Sequence, residues 1–261
     1  MEPAGQRDPG PVIILSAMSI RFEQTFRVST YELTPGGNAR LTSLANFFQE
    51  IATQQADLLG FGYHDLRKKG IFWVLSRMRI HVNRYPVWDE KVVVETWPNG
   101  IEKIFGIRDS RIKDLDGHVM ARASTAWLVV DMNTRRPVRP SDIYHQYAEK
   151  VESVFEESLE KIELPETLHP SGQKEVLFSD IDIVGHVNNV KYIEWSLDQI
   201  APDRLLAHPV SELEINFMHE SMLGDEIQIS ISDNEVNPVF IRGVRTSDQQ
   251  EIYRMRMSFS G

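Results

Sequence analysis

The chain has no cysteine in its 261 residues. That excludes a disulfide framework, a thiolate zinc site and a cysteine nucleophile. It agrees with a reducing compartment without requiring one, and a cytoplasmic location is the expectation. Long apolar runs are also missing. The run nearest the start, PVIILSAM (11–18), falls far short of the roughly 20 residues that a spanning helix needs. The charges of the preceding MEPAGQRDPG balance, so the basic opening expected of a signal peptide is weak. Residues 1–19 read as a flexible extension, with Met18 a candidate for the natural first residue. Positive charge is in deficit: 28 Lys and Arg against 38 Asp and Glu, net −10. This disfavours a nucleic-acid binder that tracks phosphates. No glycine-rich phosphate loop follows a strand. HESML at His219 lacks the second histidine of a zinc-protease helix, and the other scattered histidines have no ligand spacing. No cofactor and no metal are therefore expected.

What is present is a globular composition, 41% hydrophobic and 25% charged, laid out twice. Residues 20–33 alternate as a strand, and TPGGN (34–38) is a turn. From Leu41 the period changes. Leu44, Phe47, Phe48, Ile51, Ala52, Gln55, Leu58 and Leu59 recur at helical spacing, with Thr42 or Ser43 as N-cap and Gly60 as the stop. Strands follow at 72–82, 90–98, 103–114 and 118–132, the last two joined by the turn DLDG. Residues 141–172 read as a linker. A second strand, a helix over NNVKYIEWSLDQI and four further strands then repeat the plan. PVWDEKVVVE (86–95) resembles SMLGDEIQIS (221–230), an internal repeat. The pattern alone implies two α+β halves: 20–140, and 173–261.

The second half carries a polar cluster that the first lacks. In DIDIVGHVNNVKYIEW (180–195), Asn188 or Asn189 can cap the helix, Asp180 and Asp182 suit its positive end, and Gly185 permits a tight turn. None of these ordinary roles calls for His186, since a cationic imidazole is disfavoured at a helix N-terminus. The corresponding first-half stretch, TPGGNARLTSL, keeps a helix without the acids or the histidine. A helix is needed twice, whereas the cluster occurs once.

This stretch resembles the signature of plant-type acyl-acyl-carrier-protein thioesterases, Asp-Leu-Asp-x-Asn-x-His-Val-Asn-Asn-Val-Lys-Tyr-Ile-x-Trp. The match runs without gaps through Asp180, Asp182, His186, Asn188, Asn189, Tyr192 and Trp195. EINFMHES (214–221) resembles the family's strand ending in Glu-Cys, with Glu220 and Ser221 in those places; the likeness extends over about residues 20–260. It implies a tandem (double) hotdog, in which each long helix is wrapped by a curved antiparallel sheet, the first half shaping an acyl pocket and the second half being catalytic. It also implies hydrolysis of acyl-carrier-protein thioesters, with Asp182, His186 and Glu220 as catalytic residues and acyl carrier protein as partner; a homodimer is compatible with it. Glu220 is the expected general base, and Asp182 is the alternative. Backbone N–H groups at the second helix's start are expected to stabilise the oxyanion. Substrate contacts are expected from Phe48, Phe72, Trp73 and Asn188. Val184 stands where the family has asparagine and Ser221 where it has cysteine; valine has no side-chain hydrogen bond to offer. Alternative readings are an acyl-coenzyme A thioesterase and a non-catalytic acyl-binding protein. A carrier with acidic surfaces would need a basic patch; Arg67, Lys68, Lys69, Arg135, Arg136, Arg139 and Lys191 are the candidates.

Overall fold

Alternation of apolar and polar residues runs through strand after strand, and the computed structural model joins these strands into one antiparallel sheet. It describes residues 12–15, 20–140, 143 and 150–261. The first half contributes β1 (Val12–Leu15), β2 (Ile20–Arg27), β3 (Ile71–Val82), β4 (Lys91–Glu102), β5 (Phe105–Lys113), β6 (Val119–Asp131) and the short β7 (Pro137–Val138), with helices α1 (Leu41–Leu58) and α2 (Tyr63–Lys68). The second contributes β8 (His169–Glu175), β9 (Val210–Phe217), β10 (Glu226–Ile231), β11 (Val239–Arg245) and β12 (Glu251–Phe259), with α3 (Asn189–Leu197) and α4 (Pro202–Ala207). The order is β1-β2-β4-β5-β6-β3-β9-β12-β11-β10-β8, with β7 on β6. From the centre outwards the halves mirror each other, and β3 pairs β9 antiparallel, Met78 opposite Ile215 and Ile80 opposite Leu213. Each half is a helix cradled by a curved sheet, and the tandem hotdog is the observed architecture.

One face of the sheet packs on the helices. Val92 and Val94 of β4, Met78 and Ile80 of β3, and Leu213 and Ile215 of β9 join Leu44, Phe48 and Ile51 of α1 and Ile193 of α3 in one buried core. The alternate residues of the same strands face the other way, as period two dictates. Residues 150–162 cross that outer face. Trp97 Nε1 donates to the Glu152 carbonyl at 3.0 Å, Asn216 Oδ1 accepts from Ile162 N at 2.7 Å, and the Arg79 guanidinium lies 4.4 Å from the Phe155 ring centre. The strap therefore buries Glu95 and Trp97 on a face that the first half alone would leave wet.

Element boundaries differ from expectation in several places: the strand read over 20–33 ends at Arg27, and Thr30–Glu32 is a 3-10 turn. Val12–Leu15 is no loose extension but an added edge strand on β2; the rest of 1–19 lies outside the described residues. β8 begins at His169, inside the stretch read as linker, with Pro170 tolerated because β8 ends the sheet. The N-cap of α1 is Arg40 rather than Thr42 or Ser43. Ser43 instead donates its hydroxyl to the Glu32 carbonyl at 3.1 Å, tying the helix to the turn before it.

Candidate active site

The polar loop ahead of α3 is shaped by its own main chain. Asp182 N donates to His186 O at 2.8 Å and Gly185 N to Asp182 O at 3.1 Å. Gly185 takes φ +89°, where a Cβ would be strained. Asp182 Oδ1 accepts from Val184 N at 2.8 Å and from His186 N at 3.3 Å. The aspartate thus staples the turn that presents His186. Ile181 and Val187 form a bridge that closes the loop's base.

A backbone bond between their next neighbours brings His186 and Glu220 together. Val187 N donates to Ser221 O at 3.0 Å, so the residue before each faces the other. His186 Nε2 lies 3.3 Å from Glu220 Oε2. The same oxygen accepts from Arg135 Nη2 at 3.0 Å, and the Glu220 carbonyl accepts from Arg245 Nη1 at 3.0 Å. Side-chain exposure is 18% for His186 and 33% for Glu220; both are reachable and neither is bathed in solvent. Tyr192, beside them in the cavity wall, lies against Ser221, and burial pushes its phenol up to about 12.

These groups stand at one end of a cavity of about 1060 Å³ between the halves. Asp182, His186, Asn188 and Glu220 line it from the second half; Phe47, Phe72, Trp73 and Leu75 line it from the first. Trp73 is fixed by donating Nε1 to the Phe61 carbonyl at 3.0 Å. Phe48, expected among the substrate contacts, does not line the cavity. It sits one residue round the helix from Phe47, 3% exposed in the core. Leu58, at 56% exposure, is on the surface. Asn188 lines the cavity, but its Oδ1 accepts from Val190 N at 2.9 Å, so the ordinary capping role holds for it. Lys191 N donates to Asn188 O at 2.9 Å. Of the first three N–H groups of α3, capping takes those of Val190 and Lys191. Asn189, whose Nδ2 donates to Gln49 Oε1 on α1 at 3.3 Å, begins the helix at the cavity wall.

Two features escaped the sequence reading. The slot is not wholly apolar: buried Arg108 lines it, donating to Gln55 Oε1 and, at 3.2 Å, to Thr96 Oγ1. Only the unusual arginine in an otherwise alternating strand hinted at this. Arg135, read as a surface cation, points at Glu220. Lys191 is paired with Glu194 at 3.2 Å and Asp180 at 3.8 Å. His219 lies past the end of β9, not on the strand, with Nδ1 2.8 Å from Glu251 O. Asp114, Asp116 and His118 converge at the β5–β6 turn. There Asp114 Oδ1 accepts from Asp116 N at 3.0 Å and His118 N at 2.8 Å, which is the turn's own hydrogen bonding.

The first half has a counterpart of this loop. Thr34 N donates to Asn38 O at 2.8 Å, as Asp182 does to His186, and Ala39 N donates to Pro86 O at 2.7 Å, as Val187 does to Ser221. Thr34, Asn38 and Tyr85 therefore stand where the second half has Asp182, His186 and Glu220.

Comparison with known proteins agrees with this fold. The family model described as the acyl-ACP thioesterase N-terminal domain matches residues 19–147, and that of the C-terminal domain matches 167–260. Relatives include a chloroplastic palmitoyl-acyl carrier protein thioesterase of Gossypium hirsutum, 31% identical over 82% of this chain and 56% of that protein. A chloroplastic oleoyl-acyl carrier protein thioesterase 1 of Arabidopsis thaliana is 27% identical over 95% of this chain and 75% of its own length. The chain thus spans from about half to three quarters of these plant proteins. Among solved structures, an acyl-ACP thioesterase from Bacteroides thetaiotaomicron superposes with a TM-score of 0.84 at 25% identity, covering 92% of this chain and 98% of its own. The 12:0-ACP thioesterase from Umbellularia californica shares the fold, with a TM-score of 0.79 at 21% identity over 92% and 96% of the two chains. With both domain models matched in order along one chain, the protein belongs to the acyl-ACP thioesterase family.

Proposed function

We propose that this chain hydrolyses acyl-acyl-carrier-protein thioesters and releases the free fatty acid. The observation that carries the reading is the close approach of His186 Nε2 to Glu220 Oε2, 3.3 Å, at the end of a cavity large enough for an acyl chain. Glu220 accepts a proton from water as the water oxygen attacks the thioester carbon. The carbonyl oxygen gains negative charge, and the positive end of α3 at Asn189 faces it. The C–S bond then breaks, and the proton passes to the sulfur of the carrier's thiol arm. His186 holds the reacting groups by hydrogen bonding. Asp182 acts through the loop, because its Oδ1 already accepts two main-chain N–H groups. The carrier docks beside the mouth, where exposed Arg67, Lys68 and Lys69 follow the cavity-lining Tyr63. A cytoplasmic location and a homodimer belong to the same reading, checked by fractionation and by light scattering.

The test is release of free thiol from a panel of acyl-carrier-protein and acyl-coenzyme A substrates. Turnover on the carrier-protein esters, weakened by added salt as charge steering requires, is the expected result. Preference for coenzyme A esters would reassign the carrier. Tight acyl binding with no thiol released would leave only an acyl-binding protein.

A further inference from the structure

We propose that Arg135, supplied by the first half, is a positioning residue for Glu220, so that the site in the second half is incomplete without the first. The inference rests on the hydrolytic reading above. Arg135 lies in the tight turn between β6 and β7. Asp131 Oδ1 accepts there from Asn133 N at 3.0 Å, Thr134 N at 2.7 Å and Thr134 Oγ1 at 3.0 Å. Arg135 N donates to Asp131 O at 3.0 Å, and Asp131 N to Arg136 O at 3.0 Å. The backbone of Arg135 takes φ +57°, a conformation that a non-glycine residue keeps only when its surroundings hold it there. From this rigid turn the side chain passes over the Phe72 ring, 5.6 Å from its centre, and reaches Glu220 Oε2 at 3.0 Å.

Glu220 needs such a partner. It lies beyond the end of β9, on a segment whose main chain is fixed by Arg245 at its own carbonyl and by Val187 at the carbonyl of Ser221. Those bonds fix the backbone and leave the flexible carboxylate arm free to rotate. Arg135 and His186 meet the same oxygen of that arm. The cation from one half and the imidazole from the other together define where the carboxylate stands. A displacement of about 1 Å at a reacting group costs on the order of 10²-fold in rate.

The Arg135→Gln variant is expected to lower kcat on acyl-carrier-protein substrate by about tenfold to a hundredfold with KM little changed, with Arg135→Lys between it and the parent. In a Glu220→Gln background the same change is expected to cost less than about twofold, since it acts through Glu220. Arg84, equally exposed and paired with Glu90, neither of them lining the cavity, provides the matched control: Arg84→Gln leaves kcat unaltered. Equal losses in both backgrounds, or a raised KM with kcat intact, would overturn the proposal, the second outcome making Arg135 a carrier contact. A crystal structure of Arg135→Gln decides the placement even without turnover: Glu220 swung away from His186 supports it, and Glu220 unmoved refutes it. If the parent chain releases no thiol from any acyl ester, the hydrolytic reading fails, and that crystal structure still decides what Arg135 does.

Discussion

Asp182 offers the sharpest discrimination between chemistry and architecture. Its Oδ1 accepts from Val184 N at 2.8 Å and from His186 N at 3.3 Å, and both bonds help to hold the turn that presents the imidazole. Asp182→Asn keeps an acceptor oxygen of the same reach, loses the charge and puts an NH2 donor in place of the other oxygen. Asp182→Ala leaves both N–H groups to find water and frees the turn. Two hydrogen bonds to an ionised, partly exposed group contribute about 1–3 kcal/mol between them after solvent exchange. In a protein of this size a loss of that order lowers Tm by roughly 2–10 °C, unless the loop alone opens and the global transition barely moves. The catalytic effect is larger than the stability effect, because a shift of about 1 Å in His186 costs on the order of 10²-fold. Asp182→Asn is therefore expected to retain at least about tenfold more activity than Asp182→Ala. The assay is steady-state thiol release on one acyl-carrier-protein substrate, with thermal melts of each variant. If both variants are equally inactive while Asp182→Asn melts like the parent, the carboxylate takes part in the reaction and the staple is not its main role.

Glu220→Gln and His186→Ala should each lower turnover by about 10²- to 10⁴-fold, and the double variant should fall little below the worse single one, because the two side chains act as a unit; near-parental rates in both would remove them from the mechanism. Phe48→Ala should destabilise the fold by about 3–5 kcal/mol in urea titrations without altering the acyl-length profile, whereas Trp73→Ala should change that profile by opening the cavity wall, and an unchanged product spectrum would exclude Trp73 from substrate contact. Val184→Asn should fold and hydrolyse at a rate near the parent's, since the turn uses only the Val184 N–H and the side chain is exposed; a collapse of the melting temperature would show that valine packs.

Local signals were legible in the sequence wherever chemistry is decided within a few residues. The DLDG turn and the left-handed Gly60 after α1 stand as read, because each depends on neighbours along the chain. The pairing of Glu220 with His186 was reachable only through resemblance, since the helix and strand that intervene carry no spacing rule. What escaped was decided by parts distant in sequence. Phe47 and Phe48 are adjacent, equally apolar and both in the core, and helix rotation against a curved sheet lets only Phe47 also line the cavity. Val12–Leu15 is too short to announce itself as a strand and exists by pairing with β2. Glu95 and Trp97 alternate correctly away from the helix, yet both are buried because the strap covers them. Arg135 reads as one cation among three in a turn, and only the approach of the second half makes it a partner of a carboxylate.

The same long-range logic explains why the two halves differ at corresponding positions. Both halves build the loop, its bridge and the backbone bond to the following strand segment, so the scaffold for a site exists twice. In the first half the position of Glu220 is taken by Tyr85, whose hydroxyl donates to the Val210 carbonyl at 2.7 Å, at the start of β9. Burial holds that phenol well above its ordinary range, so it remains a neutral donor. A carboxylate there would meet a carbonyl oxygen with no proton between them, an unpaired charge facing an acceptor. The first half therefore uses this position to grip the second. In return it sends Arg135 across to the carboxylate that the second half keeps. Each half completes the other at corresponding places, once with a neutral hydrogen bond and once with an ion pair. The carboxylate proposed for hydrolysis stands where that ion pair forms.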